Sequence, residues 1–203
     1  MQHKPFSTEL EQWLKNNSHE TVGELADFFG EKSFAVVFLI FMFIPALPIP
    51  TGGITTFVLL PVTIIVAIEM ILGFKTVWIP KKVRKIELKT KFLHKGLPFM
   101  IKRVRTLEKF SKQRGAYILN TALFRILSGM FIFILALAAF IAPPFSGLDT
   151  VPSMGAVIIA LALIIEDIYL YMVGVLLGII GIGILVATAT AITAFFNYLL
   201  TIF

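Results

Sequence analysis

Few side chains in this sequence are placed to do chemistry, and the best placed sit inside apolar sequence. Glu69 lies in the otherwise uncharged run Ile54–Phe74, and Arg125 stands among Leu123, Phe124, Ile126 and Leu127. An ionised carboxylate surrounded by hydrocarbon is costly unless it is paired or neutralised. Glu69 therefore reads in one of two ways. It is a proton-exchanging or cation-binding carboxylate with a pKa raised by desolvation, or it lies near a membrane end and pairs with Lys75 or Arg125. A guanidinium matches phosphate in a bidentate fork. Arg125 accordingly reads either as the holder of an anionic head group or as an arginine snorkelling to the interface near Arg114.

A second group of polar residues follows breaks in the apolar runs. The first break carries Pro45, Pro48, Pro50, Thr51, Gly52 and Gly53; the second carries Pro143, Pro144, Ser146, Gly147, Asp149, Thr150 and Pro152. A shift of 95 residues places Pro48 on Pro143, Gly52 on Gly147, Thr55 on Thr150, Val62 on Val157, Ile64 on Ile159 and Ala67 on Ala162. Backbone that leaves helical hydrogen bonding at membrane depth must line something polar, so a repeat with two interrupted helices points to a transport-type crevice between the tips. Asp149 is expected to cap the helix that starts near Pro152, with Thr51, Thr55 and Thr56 serving the first tip. Ordinary loop-and-cap use explains the same residues.

The elements that must carry these residues are membrane helices. Mean hydropathy is +0.91 and 58% of residues are hydrophobic, more than a soluble domain carries. The runs Phe34–Leu47, Ile54–Phe74, Ala122–Ala142 and Ile168–Ala187 approach the length needed to cross hydrocarbon, the first being short. No alternation of the barrel kind is present, and no cleavable signal is expected before Phe34. The fold class is thus all-α: a polytopic membrane protein with two repeated Pro/Gly-broken hairpins, entering in parallel or as inverted re-entrant loops. The expected divisions are 1–33 (N-terminal amphipathic helices), 34–80 (first hairpin), 81–116 (basic amphipathic linker), 117–167 (second hairpin) and 168–203 (one or more C-terminal spans). In the leader, Ser7 is expected to cap a first helix and Thr21 a second through a capping box with Glu24.

Most of the 18 basic residues fall between Lys75 and Arg114, among them Lys81, Lys82, Arg84, Lys85, Arg103, Arg105, Lys112 and Arg114, opposed by Glu87 and Glu108. The positive-inside rule makes this linker cytoplasmic. Anionic lipid head groups are its expected partners, and nucleic acid is not. Gly174 and Gly178 form a small-residue face on the last span, suited to a homodimer or partner, or simply to helix packing in lipid. Glu166 and Asp167 are expected at a membrane boundary, balancing the basic linker. There is no cysteine, no metal-ligand spacing among His3, His19 and His94, no phosphate-binding glycine loop and no nucleophile–base pair. No enzyme, cofactor or metal is expected.

The set of motifs resembles the ExoD family of bacterial membrane proteins associated with exopolysaccharide synthesis. Pro48-Ile49-Pro50-Thr51-Gly52 is similar to the family's first tip. Ala67-Ile68-Glu69-Met70-Ile71-Leu72-Gly73 is similar to its Ala-Leu-Gln-Leu-x-x-Gly, and Trp78-Ile79-Pro80 to its Trp-Leu-Pro. Asp149-Thr150-Val151-Pro152 stands where the family has Asn-Thr-Leu-Pro, and Lys112-Gln113-Arg114 where it has Arg-Pro-Arg. Glu69 and Asp149 thus replace amides. The resemblance implies an inner-membrane protein acting in exopolysaccharide synthesis or export. Added to the broken helices, it leads to the expectation that an anionic lipid-linked carrier is bound or translocated between the tips. Two further readings stay open: a proton- or cation-coupled small-solute transporter, and a non-transporting assembly factor for polysaccharide-synthesis proteins.

Overall fold

The computed structural model describes residues 5–16, 21–47, 55–78, 81–85, 91–111, 114–143 and 146–202. Among them it is helical, without a strand. In chain order the helices are α1 (Phe6–Asn16), α2 (Val22–Phe29), α3 (Ser33–Phe43), α4 (Leu60–Ile71), α5 (Lys81–Arg84), α6 (Lys91–Phe110), α7 (Ala116–Leu119), α8 (Ala122–Ile141), α9 (Thr150–Ile165) and α10 (Ile168–Ile202). A 3-10 turn, Gly30–Lys32, links α2 to α3, and a π-helical turn, Thr55–Leu59, leads into α4.

α3 is the buried axis. Every residue from Ser33 to Met42 is buried, as a helix apolar on all faces requires. It packs on α9, α2 and α4, while α4 packs on α8, and α9 on α10 and α8. α3 and α8 start, and α4 and α9 finish, at the same end of the bundle. Three hydrogen bonds gather that end. Val77 N–H donates to Ser33 Oγ (3.3 Å), Lys32 Nζ to the Ile164 carbonyl (3.4 Å), and Asn120 Nδ2 to Glu166 Oε1 (3.3 Å).

The elbow between α9 and α10 separates the two acids that the sequence presents as a pair. Glu166 ends α9 in the left-handed region (φ +63°), a conformation usually left to glycine. Asp167 is buried and starts α10: its Oδ1 accepts from Tyr169 N–H (3.0 Å) and Leu170 N–H (3.4 Å). Its other oxygen accepts from the Ser111 hydroxyl (2.6 Å), tying the end of the basic segment to the bundle.

The small-residue face of α10 is filled from within the chain. A Cβ on Gly155 of α9 would stand 2.7 Å from Gly178 Cα, and one on Gly181 would stand 2.6 Å from Pro152 N. The partner of the glycines is therefore α9 itself, and the face from Gly174 to Gly181 is not free for a second protein. α10 also runs unbroken for 35 residues, a single helix where one or more spans were expected, because no proline or glycine follows Gly183 to interrupt it.

Two helices, Ala122–Ile141 and Ile168–Leu199, are long and apolar enough to cross a membrane. Only 33% and 22% of their most apolar windows are buried in the molecule, the reverse of a soluble core helix. Leu123, Leu127, Met130 and Ile134 on α8, and Met172, Leu176 and Ile179 on α10, face outward.

The opposite flank is polar. On α6, Met100, Ile101 and Val104 are buried while Lys102, Arg103 and Arg105 are exposed. Phe99 lies by Phe43 at the far end of α3 (centroids 6.1 Å apart), and Ser111 lies at the elbow, so α6 runs lengthwise beside the bundle. Several basic residues expected at a lipid surface are engaged by the protein. Arg84 pairs with Asp27 and Arg105 with Glu11, Arg103 stacks on Phe99 (4.9 Å), and Arg114 stacks on Tyr169 (5.5 Å). Lys81 and Lys85 are exposed; Lys112 and the side chain of Lys82 lie outside the described residues. The acidic leader supplies the counter-ions. Glu108 of α6 in turn accepts the Ser7 N–H (3.0 Å) and hydroxyl, taking over the capping expected of Ser7. Thr21 does cap α2, accepting from Glu24 N–H at 3.2 Å.

These contacts set different costs for two alanines. Gly155→Ala meets backbone and is expected to lower stability by about 1–3 kcal/mol, the usual penalty of overpacking. Gly183, whose Cβ would meet open space, should tolerate alanine with a change of at most about 1 kcal/mol, in the stabilising direction expected from helix propensity. Thermal melts of the two variants in detergent check the ranking.

Candidate functional site

The gathered end of the bundle forms a half-open cavity of about 520 Å³. Its polar wall is Lys32, Asn120, Arg125 and Glu166, and its apolar wall includes Phe34, Met70, Leu119 and Leu163. Four separate pieces of backbone deliver the polar groups. Lys32 comes from the turn before α3, Asn120 from the α7–α8 joint, Arg125 from the first turn of α8, and Glu166 from the elbow. The α8 start is fixed locally: Thr121 caps it, accepting from Phe124 N–H (3.3 Å), which aims Arg125 one residue further on.

Charge is unevenly compensated there. Lys32 Nζ stands 3.9 Å from Glu166 Oε1 and also caps the α9 carbonyl of Ile164. Asn120 supports the same carboxylate oxygen. Arg125 Nε is buried and has no hydrogen-bond partner among the described residues. A buried donor on a cation without a partner carries the full desolvation cost. The wall therefore holds one carboxylate, already shared by Lys32 and Asn120, and two cations, of which the Arg125 guanidinium is the one still in search of an acceptor.

Other residues marked by the sequence lie elsewhere. Glu69 is buried at the end of α4, where its Oε2 accepts from Trp78 N–H (2.8 Å). Among the described residues neither Lys75 nor Arg125 pairs with it. With Gly73 at φ +85°, it closes the loop from 72 to 78. At the second tip Gly147 turns the chain (φ +71°), and Ser146 Oγ accepts from Leu148 N–H (3.2 Å). Asp149 stands at the N-cap of α9 but makes no side-chain cap, against expectation, because its backbone angles are helical rather than extended (φ −72°, ψ −21°). Thr150 is the first residue of α9, and Pro152 is buried beneath Gly181.

Arg125 and this tip are at opposite ends of α8, roughly 24 Å apart at 1.5 Å per residue, so they do not share a site. Pro48, Pro50, Thr51, Gly52, Gly53 and Pro144 lie outside the described residues, as does the side chain of Thr55. The structure thus joins Arg125 to Lys32, Asn120 and Glu166, and to neither Glu69 nor the second tip. Lys32 and Asn120 were invisible as candidates. Lys32 belongs to an acidic leader and Asn120 to a short joint, and neither interrupts an apolar run.

Long outward-facing apolar helices around a buried axis fit a helical membrane protein. The family model described as "Exopolysaccharide synthesis, ExoD" matches residues 6–187, and the chain belongs to that family. Membership implies involvement in exopolysaccharide synthesis. An uncharacterized protein of Synechocystis sp. is similar, 29% identical over 177 residues, which cover 85% of this chain and 78% of that protein. No solved structure matches the chain.

Burial raises the pKa of Asp149 above its ordinary value, partly offset by a hydrogen bond from its own backbone N–H. The folded state then holds the proton more tightly than the unfolded chain. Stability contributed by this group falls as pH rises from the ordinary carboxylate pKa through the raised one. Asp149→Asn should remove that component of the pH–stability profile, and melts across the acidic range check it. Glu69→Gln keeps an acceptor for Trp78 N–H, while Glu69→Leu removes it. The leucine variant should lose about 1–3 kcal/mol and alter Trp78 fluorescence, measured in a Trp13→Phe background.

Proposed function

We propose that this ExoD-family chain is a non-enzymatic, multi-pass inner-membrane protein that binds the phosphate head of a lipid-linked carrier of exopolysaccharide synthesis in the cavity at the elbow end. One observation carries this reading: Arg125 lines a cavity that also presents Lys32 and Asn120, and among the described residues no acid pairs with it and its Nε has no acceptor. Phosphate oxygens supply the missing acceptors, and charge-assisted bonds to phosphate are among the strongest a guanidinium makes. The apolar wall suits the first carbons of a lipid chain, and Leu123 and Leu127 beside Arg125 on α8 lead outward to the acyl region.

The repeat enters here in a specific form. α4 packs on α8 and α3 on α9, and these two contacts exchange when the two hairpins exchange. Both hairpins open toward the same end. That supports parallel repeats related by an axis along the bundle. The basic linker makes this end cytoplasmic under the positive-inside rule, where a carrier would be loaded with sugar.

The test is binding of farnesyl phosphate to the protein in nanodiscs. Arg125→Ala should weaken it by at least tenfold, since a hydrogen bond to a charged group contributes about 1.5–3 kcal/mol, and should lower exopolysaccharide yield in cells. Arg125→Lys should recover part of the affinity. Unchanged binding in a folded Arg125→Ala protein would refute the assignment.

A further inference from the structure

We infer that Glu166 sets the net charge of the cavity at one positive unit and thereby makes it select a lipid with a single phosphate over one with a diphosphate. The inference rests on the reading of this cavity as a phosphate-head site and adds the residue that decides which head fits.

Lys32 Nζ stands 3.9 Å from Glu166 Oε1, with the lysine side chain 39% and the glutamate side chain 15% exposed, so the two charges largely offset each other. Arg125 remains as the one uncompensated cation on the wall. A single phosphate ester brings one to two negative charges and neutralises Arg125 with little excess. A diphosphate brings more, and its second phosphate must either lie against the Glu166 carboxylate or displace it from Lys32 and Asn120. Like charges at close range in a partly desolvated site are strongly unfavourable.

Displacement is hindered by the backbone. Glu166 is held by its N–H bond to the Ala162 carbonyl, and Asp167 N–H bonds the same carbonyl (3.1 Å). Asp167 is in turn fixed as the start of α10. The carboxylate is thus mounted on a rigid elbow. A lipid rather than a free ion is the ligand, because Phe34, Leu119 and Leu163 share the cavity.

The experiment compares farnesyl phosphate, farnesyl diphosphate and inorganic phosphate on the full chain in nanodiscs, for the unmodified protein, Glu166→Gln and Glu166→Gly. Glutamine keeps the acceptor for Asn120. Glycine suits the left-handed backbone, so at least one variant retains the elbow. The unmodified protein should bind farnesyl phosphate tenfold or more tighter than the diphosphate, roughly the effect of one extra unpaired charge contact. Both variants should raise diphosphate affinity at least about tenfold while moving monophosphate affinity by less than about threefold. A monophosphate-to-diphosphate ratio that stays the same in both variants would overturn the role of Glu166. So would inorganic phosphate binding as tightly as farnesyl phosphate, because the lipid assignment would then fail. Arg125→Ala separates the levels: if it leaves monophosphate binding intact, the cavity is not the phosphate site. If it abolishes binding while the Glu166 variants leave the ratio unchanged, only the selectivity role is lost.

Discussion

The backbone-to-backbone contact of α9 with α10 is the constraint on which the rest of the molecule depends. Between two apolar helices in lipid there is no hydrophobic drive to associate, so close van der Waals approach must supply the attraction. Gly155 lies directly on Gly178, and Pro152 on Gly181, distances that no side chain larger than hydrogen permits. That approach fixes the elbow, and the elbow fixes both acids. Asp167 turns down to start α10 and take the Ser111 hydroxyl. Glu166, forced into the left-handed region, turns its side chain to Lys32 and Asn120.

Electrostatics then divides the molecule into two flanks. The outward surfaces of α8 and α10 are apolar, while α6 presents Lys102, Arg103 and Arg105 on its exposed face. Two of the arginines are paired on the surface with acids of the leader, Arg84 with Asp27 of α2 and Arg105 with Glu11 of α1, which ties the N-terminal helices to α5 and α6. Arg125 is the exception. It comes from the apolar flank, points into the cavity, and finds no carboxylate among the described residues. The carboxylate within the same cavity is already engaged. Arg125 is half-buried, and its buried Nε is left without a partner among the described residues, a cost with no structural return in sight, which is why this residue reads as a binding group.

The helical class was legible because it is written in long uncharged runs, and the amphipathic character of α6 because Met100, Ile101 and Val104 alternate with cations at helical spacing. The family was legible from short motifs around Gly73, Trp78 and Pro152. The site was legible only by half. Arg125 announces itself as a lone charge in apolar sequence, but its companions are joined to it solely by the fold. The α3 entry and the elbow lie more than a hundred residues apart in sequence, and only packing brings Lys32 to Glu166. Glu69 drew attention for the same reason as Arg125, and the fold gives it a local partner that sequence does not show, the Trp78 N–H that donates to its Oε2. Asp149 does stand at the N-cap position of α9, but sequence cannot report that its backbone angles there are helical and that its side chain makes no cap bond.

The central claim is that the Arg125 guanidinium holds a phosphate. The most direct measurement is the dipolar coupling between ¹⁵N-labelled arginine side chains and ³¹P by solid-state NMR, with farnesyl phosphate added to the protein in membranes whose own lipids carry no phosphorus. The account predicts a coupling for the Arg125 guanidinium corresponding to about 4 Å, the nitrogen-to-phosphorus separation of a direct charge-assisted bond, and its disappearance in Arg125→Lys. Finding the ligand bound while Arg125 shows no ³¹P coupling would contradict it.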